Sequence, residues 1–195
     1  MTYEELCDEV KSIVDIYFDG ATVVWGNTEQ TKPKDPFVKL TMGLLTHTQH
    51  GIEQIEDEEV YNCIPSSARL TVELFTHGRK VKKGQYTYQK NTAVSDMMDF
   101  VKFITSPYVD ELCESKDIAF TAEGGVLDTS AVLDPNYEYR ALQEFTVSYT
   151  DTTRGYAGIS RTDWQQTPSG GGTKALADKK INDIDAGSIN IENNF

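Results

Sequence analysis

From Ser67 to Thr76 apolar and polar positions alternate: Ala68, Leu70, Val72 and Leu74 are interleaved with Arg69, Thr71, Glu73 and Phe75. Period-two patterning predicts a strand with one buried face. Further on, Val94, Met97, Met98, Val101 and Ile104 recur at the three- and four-residue steps of one helix face. They predict a helix near Thr92–Thr105, which Pro107 stops. Between strand and helix lies H-G-R-K-V-K-K-G, a strongly basic run in an acidic chain.

The remaining elements follow from the same two periods. Thr2 and Glu5 form a capping box ahead of an apolar stripe of Leu6, Val10, Ile13, Val14, Tyr17 and Phe18, so an N-terminal helix is expected to run to Asp19-Gly20. A short strand, Thr22 to Trp25, precedes a polar loop reaching Pro36, and Phe37 to Leu45 reads as another strand. Thr46 to Asn62 reads as a hairpin or long loop carrying the acidic run Glu53–Glu59, and Gln85 to Lys90 as a lead into the central helix. Pro107 to Lys116 predicts a short helix with Pro in its first turn, and Ile118 to Ala122 a strand ending at Glu123-Gly124-Gly125. Leu133 to Tyr137 reads as a turn. The last strand, Tyr139 to Thr150, has a more apolar face of Ala141, Gln143, Phe145, Val147 and Tyr149, the better candidate for the core. These elements make an α+β domain.

From about Arg154 Gly, Ser, Thr, Asp and Asn dominate and periodicity is lost. Alone, such a segment buries too little apolar surface to offset its conformational entropy. The division expected is an α+β domain over 1–153 and an extended polar arm over 154–195, ordered against another chain, with Trp164 and Phe195 as its candidate contacts.

Charge narrows the partners. Of the net −13, residues 1–60 carry 13 acids and 4 bases, residues 61–160 carry 13 and 10, and residues 161–195 carry 5 and 4. A protein that wraps nucleic acid should be basic, so that class is disfavoured; a surface that DNA passes without sticking is compatible with the acidity, as is simple solubility. Arg79, Lys80, Lys82 and Lys83 form the most specific charged feature. They read either as solvated bases on an exposed hairpin or loop, or as a contact for an acidic surface such as Glu56, Asp57, Glu58 and Glu59 of a neighbouring copy. Contact with DNA phosphates is a third reading.

Candidate chemistry adds little. There is no G-x-x-x-x-G-K-[ST] phosphate loop and no G-x-S-x-G elbow, and Gly124-Gly125 and Gly170-Gly171-Gly172 lack the setting of a dinucleotide site. His47, His50 and Glu53 have metal-ligand spacing, but Gly51 and the flanking threonines argue against the helix such a site needs. Cys7, Cys63 and Cys113 lie far apart and odd in number, so they read as small hydrophobes. Asp96 and Asp99 are expected to face solvent. No catalysis, cofactor or metal is expected. No window approaches the ~20 apolar residues of a membrane span, and the N-terminus is acidic where a signal peptide is basic, so a cytoplasmic protein is expected.

The order of elements resembles the bacteriophage tail terminator and neck terminator proteins, also called tail-completion or minor tail proteins. The likeness rests on the N-terminal amphipathic helix, R-L-T-V-E-L-F-T-H-G, A-V-S-D-M-M-D-F-V and Y-E-Y-R-A-L-Q-E-F-T-V-S-Y, and covers Thr2 to Thr152. It implies a mixed or antiparallel sheet with the N-terminal and central helices packed on it. It also implies a structural virion protein of the neck, made in the host cytoplasm. Such a protein assembles with itself as a ring, commonly hexameric, that terminates the tail tube or joins it to the head connector and lets DNA pass. The partners implied are the tail tube protein and the connector or adaptor protein. The arm from Arg154 falls outside the likeness and is expected to reach onto an adjacent ring or subunit. A head-closure or adaptor protein of the same neck, a non-phage interaction domain and a small enzyme stay open as alternatives.

Overall fold

The two periods sort into three helices and nine strands in a computed structural model, whose described residues are 1–26, 32–34, 36–48, 50–56, 59–133 and 136–154. The order is α1 (Tyr3–Tyr17), β1 (Thr22–Trp25), β2 (Phe37–His47), β3 (Ile52–Glu56), β4 (Glu59–Thr76), β5 (Arg79–Lys83), β6 (Tyr86–Lys90), α2 (Ala93–Ile104), α3 (Pro107–Glu114), β7 (Ile118–Asp128), β8 (Ala131–Leu133) and β9 (Asn136–Arg154). The fold is α+β, as expected. The expected arm lies outside the described residues beyond Arg154. Two units are distinguished: one holds Tyr3–His47 and Ser66–Tyr149, the other Met1–Thr2, Thr48–Pro65 and 150–154.

In the larger unit the strands run in the order β1-β2-β4-β9-β7. β1 and β2 are parallel, from Thr22 opposite Phe37 to Trp25 opposite Leu40. β2 pairs antiparallel with β4, and β7 with β9, so the sheet is mixed. Its core-facing positions are the expected ones: Ala68, Leu70, Val72 and Leu74 on β4, and Ala141, Gln143, Phe145, Val147 and Tyr149 on β9, are all buried. Leu6, Val10, Ile13, Val14 and Phe18 of the N-terminal segment are buried as well.

The central helix departs from its expected face. Ala93, Met97, Phe100 and Ile104 are the buried positions, while Met98 is half exposed. Rotation of the helix is decided by the largest side chain. The Phe100 ring lies 4.9 Å from Phe18 and 5.9 Å edge-on from Phe145, and an aromatic ring buries more area than Met98. α3 forms as its sequence predicts, with Pro107 in the first turn and the Ser106 hydroxyl accepting from the Val109 amide.

β7 also runs further than expected. Gly124-Gly125 does not end it but forms a bulge, with register lost between Glu123 and Leu127 and Gly124 at φ +62°. β9 is long enough to offer partners beyond the bulge, Leu142 to Leu127 and Ala141 to Asp128. The buried Gln143 amide donates to the carbonyls of Glu123 and Glu144 at 2.8 and 2.7 Å, which keeps its polar group satisfied in the core. In the smaller unit β3 pairs antiparallel with the start of β4, from Ile52 opposite Cys63 to Glu56 opposite Glu59. The hairpin reading of Thr46–Asn62 holds there. The Met1 ammonium donates to the Thr150 carbonyl at 2.9 Å.

Truncating Phe100 to Ala should therefore cost about 3–5 kcal/mol, whereas Met98→Ala should stay within about 0.5 kcal/mol of the parent. Urea unfolding of both variants measures this, and equal losses would contradict the helix rotation described.

Candidate interaction surface

The basic run is one strand of a hairpin, the first of the two expected forms. Arg79–Lys83 pairs antiparallel with Tyr86–Lys90 across a two-residue Gly84-Gln85 connection, in a two-stranded sheet of its own. Gly84 has φ +64°, which a residue with Cβ adopts only at a cost. Cross-strand partners share a face. One face carries Arg79 opposite Lys90, Val81 opposite Tyr88 and Lys83 opposite Tyr86; the other carries Lys80 opposite Gln89 and Lys82 opposite Thr87. Every residue of the two strands except Val81 is exposed, Tyr86 at 81%. An isolated two-stranded hairpin is marginal in water.

Its root is held firmly. Gly78, at φ +71°, is packed so closely that a Cβ there would lie 2.3 Å from the Lys90 carbonyl oxygen and 2.9 Å from the Tyr139 ring. The Gly78 amide donates to Thr76 Oγ1 at 3.1 Å. Asn91, just before the Thr92 N-cap, accepts from the Ala93 amide of α2 at 3.0 Å, and its own amide donates to Ser130 Oγ at 3.3 Å. Ser130 in turn donates from its hydroxyl and its amide to Asp128, holding that carboxyl below its usual range. Arg79 Nη2 lies 3.6 Å from Asp96, whose carboxylate also accepts from Thr92 Oγ1 at 2.8 Å. Asp96 is thus a half-buried anchor rather than the solvent-facing acid expected, whereas Asp99 is exposed and pairs with Lys102. A cleft of about 480 Å³ opens beside this root, lined by Tyr17, Phe18, Pro36, Leu74, Arg79 and Asp96 among others.

Among the described residues, the sheet face away from Phe100 carries one buried acid, Glu138. Phe37 and Phe75 stack at 4.2 Å with their planes 6° apart. The Arg140 guanidinium sits 4.9 Å from the Phe75 ring and donates from Nε to Glu138 at 2.5 Å, and Lys32 also pairs with Glu138. Burial alone would push the Glu138 carboxyl up, but hydrogen bonds from Lys32 and Arg140 outweigh it and hold the group below the usual carboxylate range.

A second exposed charged surface lies on α1. Asp8, Lys11, Ser12, Asp15, Ile16 and Asp19 line an open groove of about 540 Å³ on the outward face of the helix and the turn after it. Lys11 pairs with Asp15 at 2.6 Å. Ile16 is 46% exposed between the carboxylates.

Of the residues singled out from sequence, Arg79, Lys80, Lys82 and Lys83 come together on β5. Glu56 and Glu59 face each other across the β3–β4 register, while Asp57, Glu58, Trp164 and Phe195 lie outside the described residues. Tyr86, Tyr88 and Lys90 were missed. The signal for them was two five-residue runs, R-K-V-K-K and Y-T-Y-Q-K, separated by Gly-Gln. His47 ends β2 and His50 lies in a bend, so the H-x-x-H-x-x-E spacing falls on no helix. Cys113 is buried and Cys7 half-buried, and burial pushes both thiols up, away from reactive thiolate.

A family model described as phage neck terminator protein matches residues 4–172, which takes in α1, the sheet, the hairpin and both later helices and extends past Thr152. No curated protein matches the chain.

Two outcomes follow from the local physics. Gly78→Ala should cost about 1–3 kcal/mol through its positive φ and the Lys90 clash, and hydrogen exchange should show the β5–β6 amides opening first. Because the folded Glu138 pKa lies below the unfolded value of about 4.3, its stabilisation is complete above that value and is lost as pH falls through the folded pKa. Unfolding free energies measured down through the acid range should show this slope, and Glu138→Gln should flatten it.

Proposed function

Since the chain belongs to the phage neck terminator protein family, we propose that this structural protein assembles as a ring, hexameric in our reading, at the end of the tail tube. There it stops tube growth, meets the tube protein on one side and the head connector or adaptor on the other, and leaves a lumen for DNA. The family match over residues 4–172 carries this reading. The charge supports it: a chain at −13 lets a polyanion pass without capture. The firmly rooted, exposed hairpin supports it too, since a scaffold gains nothing from presenting tyrosines and cations to water alone.

On this reading the protein resides in the virion neck, after synthesis in the host cytoplasm, and works without catalysis. The division at 153 and the arm of 154–195 enter here as well: the polar arm, with Trp164 and Phe195, reaches onto an adjacent subunit or ring and orders there.

Removing the chain from its phage should leave filled heads unjoined to tails, with tubes of uncontrolled length seen by electron microscopy. Heads that leak DNA beside tails of normal length would instead assign the chain to head closure. Supplying a chain that ends at Asp151 should fail to restore joined particles; full restoration would remove the role given to the arm.

A further inference from the structure

The twelve residues Arg79–Lys90 carry five cations and no acid, so the rest of the chain carries −18 against a whole-chain −13. A nucleic acid drawn to this hairpin would be repelled by nearly everything around it. The surface best suited to it is one that the protein itself displays. We infer that the β5–β6 hairpin of one copy docks on the outward groove of α1 in a second copy.

The two surfaces match in layout as well as sign. On one face of the hairpin Tyr86 lies opposite Lys83 at the tip, Tyr88 opposite Val81, and Lys90 opposite Arg79 at the root, about 14 Å from Tyr86 to Lys90 at ~3.4 Å per residue. The α1 groove runs along the helix from Asp8 past Lys11 and Ser12 to Asp15, about 10 Å at ~1.5 Å per residue, with the exposed Ile16 next to Asp15 and Asp19 in the turn beyond. Each sets apolar side chains among charges of one predominant sign: Tyr86 and Tyr88 beside Lys83 and Lys90, and Ile16 beside Asp15 and Asp19. Tyr86 laid on Ile16 removes two exposed apolar surfaces from water together. The tyrosines supply contact area with few rotors to immobilise. The anchored root, with Arg79 at Asp96 and Gly78 against Tyr139, points the arm before it binds and lowers the cost of ordering it.

Such a contact covers less than the ~800 Å² per partner of a stable pair. It is weak between two copies and becomes strong when every copy donates one hairpin and receives another around a closed ring. The inference deepens the ring reading and rests on it.

Complementary charge reversal tests it, with K83E/K90E on the hairpin face that carries the tyrosines and D8K/D15K on the groove. All four positions are exposed, and circular dichroism confirms that each variant keeps its fold. By light scattering the wild type should gain mass with concentration and lose it as salt rises. Each variant alone should stay monomeric. An equal mixture should assemble again, because the acidic hairpin of one variant then meets the basic groove of the other, and the unaltered hairpin meets the unaltered groove. A mixture that stays monomeric would overturn the pairing, as would single variants that assemble like the wild type. A wild type monomeric at every concentration would overturn the copy-to-copy contact, while the virion role would still stand or fall on the deletion phenotype. Binding of a labelled single-stranded oligonucleotide that K83E/K90E abolishes, with no change in mass, would assign the hairpin to nucleic acid instead.

Discussion

The packing of Phe100 between Phe18 and Phe145 fixes more of this structure than any other contact. It joins α2 to the segment after α1 on one side and to the middle of β9 on the other. Tyr17 extends the cluster, 5.3 Å from Phe100 and 5.2 Å from Phe103. Once this ring is buried, the rotation of α2 is set, and with it the fate of every other position on the helix. Met98 turns outward, and Asp96 comes to the edge of the buried stripe, half covered and within reach of Arg79. Asn91, just before the Thr92 N-cap, accepts from the Ala93 amide of the helix and reaches Ser130. The hydrophobic core thereby determines where the basic arm leaves the body.

The arm itself obeys a different physics. Two strands cannot hide their backbones or side chains from each other's open faces, and five cations on twelve residues repel one another. Its stability comes from the root: the Gly78 turn, the Tyr139 hydroxyl 3.4 Å from the Gln89 carbonyl, and the Arg79–Asp96 pair. With 77% of the Arg79 side chain exposed, that pair contributes little alone. What it adds is direction.

Where burial dictated the pattern, the sequence was easily read. The β4 and β9 faces alternate because one side meets the helices, so Leu70, Val72, Phe145 and Val147 could be assigned from spacing, and even Gln143 could be placed in the core. The α2 stripe was half legible: Met97 and Ile104 belong to either rotation, and spacing cannot say that Phe100 outweighs Met98. Long-range pairing was hidden. Nothing local marks Gly124-Gly125 as a bulge rather than a strand end, since the reason lies in β9. Nor does F-V-K-L-T-M-G-L-L reveal that β2 loses register between Gly43 and Thr46, with Leu44 at φ +44° and both leucines exposed. At the candidate surface the cations stood out by composition, but Tyr86 and Tyr88 acquire meaning only through their register with Lys83 and Val81.

The charge distribution has a consequence for symmetry. Two hairpins repel, and two α1 grooves repel, so a self-complementary pairing of like patches is disfavoured from both sides. Hairpin against groove brings opposite signs together, and that contact is head-to-tail. A head-to-tail contact leaves an unused hairpin at one end of any open chain and an unused groove at the other, until rotation between copies closes the chain. In the ring we propose, the separation of a basic hairpin from an acidic body on one polypeptide favours directional assembly over pairing of like patches. In the assembly we propose, closure into a ring rather than a filament follows from the angle at which the hairpin leaves its own subunit, where Arg79 and Asn91 tie its root to α2.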